Sequence, residues 1–186
     1  MRTNSIQLRA KALVYAEVLL EACKVSDNVF AVAGEFDDLV KAVRGSLELR
    51  KALKDKTIPL EAKKALVTEL FTGYAPELLA TFNVMVERED LGVLSRARET
   101  FNTLAEEALN AIFIEVTTAV SLDDELRQQI ISKYSAQLGC GVLLREYVDP
   151  DLIGGIVLMA HGKRIDASVT SQLESARHVL SKASVM

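Results

Sequence analysis

In the first half of the chain, apolar and polar positions alternate at helical spacing. Between Ile6 and about Val25, Glu17, Glu21 and Lys24 fall at i, i+4 and i+7 and share one narrow polar strip. Leu13, Tyr15, Ala16, Val18, Leu19, Leu20, Ala22 and Cys23 cover most of the remaining circumference. A surface helix needs an apolar stripe about 100° wide, and this one is wider. It therefore predicts contact with more than one neighbour. Either it is the central helix of its own bundle, or part of its stripe receives a partner helix.

Five more helices follow with short connections. Ser26-Asp27 offers an N-cap for a second helix running to about Arg44, and Gly45-Ser46 breaks it. A short helix spans Ser46 to Lys54. Pro59 then sits near the first position of a fourth, which runs to Phe71 and stops near Gly73. Pro76 begins the fifth, in which Leu78, Leu79, Phe82, Met85 and Val86 form the core face, while Ala80 and Val84 make a second small apolar strip off that face. The sixth starts near Val93, with Leu94, Ala97, Phe101, Leu104 and Ala108 at heptad-like spacings. Residues 1–108 thus read as an all-α six-helix bundle.

After about Asn110 the period changes from helix to strand. Ile112, Ile114, Val116 and Val120 alternate with Glu115 and Thr117 as a strand does. Ser121 is placed to cap a helix with Leu122, Leu126, Ile130, Ile131, Tyr134 and Leu138 on its buried face, ended by Gly139 and Gly141. Val142–Val148 reads as a second strand. The turn Asp149-Pro150-Asp151 and the pair Gly154-Gly155 lead into a third, whose apolar run Ile156–Ala160 is broken by Gly162. Asp166 or Ser168 caps a last helix with apolar positions Val169, Leu173, Ala176 and Leu180. Residues 109–186 thus read as a small strand-helix-strand-strand-helix (βαββα) domain, and the fold class is α+β.

Composition narrows the functional classes. Of 186 residues 49% are hydrophobic and 26% charged, as in an ordinary folded protein, and the net charge of −4 weighs against a general nucleic-acid binder. Cys23 and Cys140 read as two free thiols rather than a disulfide framework. No apolar stretch reaches the roughly 18 residues of a membrane span, and the opening residues lack the uninterrupted apolar region of a secretory leader. No catalytic constellation is apparent. His161 and His178 stand without cysteine or carboxylate neighbours at metal-ligand spacing. Gly154-Gly155 precedes a strand, whereas phosphate loops follow a strand and open a helix. From Ala111 onward 7 Lys or Arg face 9 Asp or Glu, and no stacking aromatic motif suggests an RNA surface. An acidic RNA-associated module and a small phosphate-handling enzyme remain as alternatives, but neither accounts for the helical bundle.

Several segments carry a family resemblance. Tyr15-Ala16-Glu17-Val18-Leu19, Thr57 through Lys63, Phe82 through Glu87 with Leu91 and Leu94 to Phe101, and Val120-Ser121-Leu122 each resemble segments of the delta subunit of F-type ATP synthases. That family includes the mitochondrial oligomycin-sensitivity-conferring protein. Asp149 through Gly155 with Ile165 through Val169 is the most specific segment; Ala167 stands where the family commonly has Gly.

The resemblance implies a non-catalytic stator subunit, without cofactor or metal, present once per complex. In such a subunit the N-terminal bundle holds the N-terminal helix of an F1 alpha subunit in a groove of the first and fifth helices. The C-terminal domain holds the ends of the peripheral-stalk b subunits. The F1 head is thereby kept from turning with the rotor, and proton translocation is coupled to ATP synthesis. The implied location is peripheral, on the cytoplasmic face of a bacterial inner (plasma) membrane, with neither nucleic acid nor direct membrane insertion. On this reading Tyr15, Leu19, Ala80 and Val84 are the expected groove residues.

Overall fold

The computed structural model describes residues 2–160 and 163–183, with side chains from residue 6 to residue 178. His161, Gly162 and the side chain of Leu180, all singled out in the sequence, lie outside the described residues. The chain mixes helix and sheet and divides into two compact units, Met1–Ala108 and Leu109–Met186.

The first unit contains α1 (Arg2–Ser26), α2 (Val29–Gly45), α3 (Leu47–Lys54), α4 (Leu60–Leu70), α5 (Pro76–Glu87), a 3-10 turn at Leu91–Val93 and α6 (Leu94–Leu109). α1 packs against α2 and α5, and α4 packs against α5. The buried positions follow the helical repeat. They are Val29, Val32, Ala33, Phe36, Leu39, Val40 and Val43 on α2, and Leu78, Phe82, Met85 and Val86 on α5. On α6 they are Leu94, Ala97, Phe101 and Ala105. Ala105 takes the buried place expected for Leu104 and Ala108, because a straight helix drifts from a strict seven-residue repeat. Phe36 and Phe101 meet edge to face at 5.9 Å between ring centres, and Phe71 meets Phe82 in the same way at 6.1 Å.

The α1–α2 boundary differs from the sequence expectation. α1 runs through Ser26, Asp27 turns the chain with φ +52°, and Asn28 occupies the cap position without a side-chain cap bond. Ser26 is not free to cap α2, since its hydroxyl donates to the Glu77 carboxylate of α5.

A charged group lies in the first unit's core. The Asp37 carboxylate on α2 is fully buried and accepts hydrogen bonds from Arg98 Nη1 at 3.0 Å and Asn102 Nδ2 at 3.3 Å, both on α6. A charge so placed is tolerable only while its partners neutralise and hydrogen-bond it.

The second unit is built on a four-stranded sheet of order β2-β1-β3-β4, formed by β1 (Ala111–Thr118), β2 (Gly141–Val148), β3 (Gly155–Ala160) and β4 (Lys163–Ser168). β1 and β2 are parallel and joined through α7 (Asp124–Leu138), whereas β1–β3 and β3–β4 are antiparallel. α8 (Val169–Ala183) follows β4.

The fourth strand corrects the expected βαββα order. The charges of Lys163, Arg164 and Asp166 disguise its alternation, and charged residues are how exposed sheet edges avoid pairing with other chains. Asp166 is consequently a strand residue. Ser168 caps α8, its hydroxyl accepting from Ser171 N at 3.2 Å.

α7 is capped not by Ser121 but by Asp123, whose carboxylate accepts from Leu126 N at 2.7 Å, and Gly139 closes it in the left-handed conformation expected of a helix-ending glycine. Gly155 meets a steric requirement: φ is +85°, and a Cβ there would stand 2.4 Å from the Ala167 carbonyl oxygen across the β3–β4 pair. The described apolar positions of α8, Val169, Leu173 and Ala176, all lie exposed.

The buried Asp37 pair yields a test of the first unit. Replacing Arg98 with Met removes a charged partner of a carboxylate that stays in the core. The expected cost is about 3 kcal/mol of unfolding free energy, measured by urea denaturation followed by helical circular dichroism.

Candidate functional site

The meeting of α1 and α5 is fixed at both ends. At one end Ser26 of α1 is bonded to Glu77 at the start of α5. At the other, Asp90, just past α5, accepts from Lys11 Nζ at 2.5 Å and from the Tyr15 hydroxyl at 3.0 Å. The two helices therefore run antiparallel, with Val84 level with the stretch of α1 between Tyr15 and Ser26. The chain reaches Asp90 through a left-handed Glu89 (φ +56°), and the Asp90 N–H closes the end of α5 on the Met85 carbonyl at 2.9 Å. Ala10, Lys11, Val14, Tyr15, Arg88 and Asp90 line a cavity of about 570 Å³ at this end of the seam.

The four expected groove residues divide. Ala80 and Val84 are exposed on α5, Val84 to 39%. Tyr15 is only 8% exposed; its edge reaches the cavity and its hydroxyl is committed to Asp90. Leu19 is fully buried, so it is a core residue and presents no surface to a partner. The exposed apolar strip of α1 instead carries Val14 and Val18, one turn apart, with Val18 60% exposed. The sequence could not separate Val18 from Leu19 because both lie within one over-wide apolar stripe. The anchoring of Tyr15 and Ser26 against α5, together with the packing of α1 on α2, shows how the helix is turned.

Burial shifts two groups in this region. The Tyr15 pKa is raised, first by burial and then by its hydrogen bond to the Asp90 carboxylate. Cys23, fully buried on α1, has its thiol pushed up to about 12 from 9.0, mainly by burial, with Glu77 and Glu35 adding to it.

A second candidate site lies in the second unit. Ile112, Ile114, Tyr134, Leu138, Leu158 and Ile165 are the main walls of a largely apolar cleft of about 380 Å³ between α7 and the sheet face. α7 packs on β2, and Arg127 on α7 clamps Glu146 on β2 with Nε–Oε1 at 2.5 Å. That ion pair holds the Glu146 carboxyl below its ordinary pKa. Towards β3 and β4 the face stays open, leaving Ile165 half exposed. The cleft was not legible in the sequence because one of its walls is the unrecognised β4. No group of metal-ligating side chains occurs among the described residues, and no described helix is long and apolar enough to cross a membrane.

The sequence model of the ATP synthase delta (OSCP) subunit matches residues 12–180. The chain belongs to the ATP synthase delta (OSCP) family. The match covers the second candidate site and all of the first but Ala10 and Lys11. The chain is 33% identical to ATP synthase subunit delta of Prochlorococcus marinus (strain AS9601) over 170 residues, 90% of this chain and 94% of the relative. It is 30% identical to the protein of the same name from Desulforamulus reducens over 177 residues, 94% and 98% of the two chains. Among solved structures, a chain in the Toxoplasma gondii mitochondrial ATP synthase hexamer covers 91% of this chain and 96% of its own length, with a TM-score of 0.50 and 17% identity. That last likeness is one of fold.

The buried thiol gives an alkaline test. The folded state favours the neutral thiol, so the stability Cys23 contributes is complete below pH 9 and is lost as pH rises through about 12. Unfolding free energy should fall over that interval, and Cys23→Ala should make the fall shallower. At pH 8 a thiol reagent should modify the half-buried Cys140 well before Cys23.

Proposed function

We propose that the chain is the non-catalytic stator subunit of a rotary F1Fo ATP synthase, present once per complex and linking the catalytic head to the peripheral stalk. The first unit, as a six-helix bundle, holds the N-terminal helix of an alpha subunit along the α1–α5 seam. The second unit, a sheet with two helices, holds the ends of the b subunits in the cleft beside α7. The protein sits peripherally at the cytoplasmic face of a bacterial inner membrane. It prevents the head from following the rotor, so that proton translocation does work at the catalytic sites.

One observation carries the alpha-subunit reading. Val14 and Val18 on α1 and Ala80 and Val84 on α5 are left exposed on two helices whose relative position is already fixed by Asp90 and Glu77. A rigid pair of helices with exposed apolar flanks suits an amphipathic helix laid along it. At about 25 cal/mol per Å², a few hundred Å² of apolar burial supplies roughly 10 kcal/mol before the costs of association. No cofactor is needed for such a hold. Tyr15 supports the seam from beneath through its bond to Asp90, rather than by direct contact along its length.

The stalk reading rests on the apolar cleft. Its walls are aliphatic apart from Tyr134, Gln137 and Lys163.

Titration calorimetry separates the two contacts. A peptide copying the alpha N-terminal helix should bind one to one with a negative heat-capacity change. Val18→Asp or Val84→Asp should weaken it by about tenfold or more, because a desolvated carboxylate costs at least 1–2 kcal/mol. Unchanged affinity in both variants would remove the seam as the site.

In the same assay Ile165→Glu should weaken binding of a peptide that copies the last residues of the b polypeptide and leave the alpha peptide unaffected. Equal loss for both peptides would sink the assignment of separate sites.

A further inference from the structure

α3 carries an unusual face. Leu47, Arg50, Lys51 and Lys54 fall at i, i+3, i+4 and i+7 and, with Asp55, line an open cleft of about 420 Å³. Leu47 is 56% exposed at its head. From Arg44 to Lys64 there are seven Lys or Arg against three Asp or Glu, in a chain whose net charge is −4.

Several other cations of this unit are paired. Lys11 sits with Asp90, Lys24 with Glu21, Lys41 with Asp38, Lys56 with Glu89, and Lys64 with Glu61 and Glu87. Among the described residues no carboxylate lies within 4.0 Å of the charged groups of Arg50, Lys51 or Lys54. Asp55, the nearest acid in sequence to Lys54, is engaged elsewhere. It accepts from the Thr57 N–H at 2.8 Å and the Thr57 hydroxyl at 2.7 Å, which hold its carboxyl below the ordinary aspartate pKa.

The helix dipole explains part of this pattern, since basic residues in a last turn face its negative end. It accounts for Lys51 and Lys54. It does not account for an exposed leucine beside them, or for the concavity they share.

We propose that this face of α3 docks an acidic, amphipathic polypeptide segment of a partner protein. Carboxylates of the segment meet Arg50, Lys51 and Lys54, and one of its apolar side chains enters the cleft against Leu47 and the lysine stems. A concave site with a single apolar wall suits a side chain. An anionic bilayer would call for a flat or protruding apolar face. A long polyanion such as RNA would need a longer basic track, in a chain whose net charge is −4. The face shares no residue with the α1–α5 seam or the cleft beside α7, so the inference stands independently of the stator reading.

The test uses the full chain and a synthetic helical peptide with glutamates at i, i+3, i+4 and i+7 and one leucine beside them. Amide spectra should show saturable one-to-one binding, with shifts concentrated between Leu47 and Asp55 and affinity falling steeply with salt. The triple variants R50E/K51E/K54E and R50Q/K51Q/K54Q, each checked for native helicity, should weaken binding by about tenfold or more. Leu47→Ser, and removal of the peptide's leucine, should each weaken it several-fold. Val84→Asp should leave it unchanged.

Four results would overturn the proposal: no binding, unsaturable shifts spread over the surface, affinity indifferent to the charge variants or to both leucine changes, or binding to phosphatidylglycerol vesicles but not to the peptide.

Discussion

Asp90 accepts from both Lys11 and Tyr15 at the point where the chain leaves α5, and this junction governs the geometry of the first unit. The carboxylate has little freedom. Its own N–H closes α5 on Met85, and the left-handed Glu89 sets the direction of the chain just before it. α1 is apolar over most of its circumference and could bury several alternative faces at similar hydrophobic gain. Directional bonds at its two ends break that near-degeneracy. They commit Tyr15, Leu19 and Cys23 to the interior and leave Val14 and Val18 outside. Polar contacts worth only about a kcal/mol each thus decide which apolar residues form the core and which form the surface.

The second unit solves a different problem. Its sheet buries one face under α7 only over part of its width, and the Arg127–Glu146 pair holds that helix to β2. What remains is open apolar surface, with Ile165 half exposed. The two units therefore share a design: each completes its own core and retains a defined apolar strip next to it. Residues 12–180 match the ATP synthase delta (OSCP) family.

Much of this was legible in the sequence, for identifiable reasons. The mixed helix-and-sheet class and the core face of α5 follow from periodicity, because Leu78, Phe82, Met85 and Val86 recur at helical spacing. α1 resisted because its stripe is too wide to orient the helix, which put Leu19 on the wrong side. β4 was missed because its charged residues mask a two-residue alternation and Gly162 suggested a break. Ser26 and Ser121 look like caps, but a serine hydroxyl follows the better acceptor, and Asp123 outcompetes Ser121 two residues later. Gly155 was readable as a glycine of close approach, since β3 runs against the backbone of Ala167.

The parallel pairing of β1 with β2 bears on how the chain is made. Each residue of β1 is matched with one thirty positions further on, Ala111 with Gly141 and Thr118 with Val148. β1 also pairs on both sides, with β3 as well as β2. During synthesis from the N-terminus, α1 must already wait for α5, since Tyr15 finds its acceptor at Asp90, seventy-five positions further on. β1 must wait, with Phe113, Ile114 and Val116 uncovered, until both flanking strands have left the ribosome. Non-local pairing of this kind slows folding and leaves sticky intermediates. The interval between the appearance of β1 and that of β3 is therefore a second window, in which the nascent chain exposes residues that the finished sheet buries.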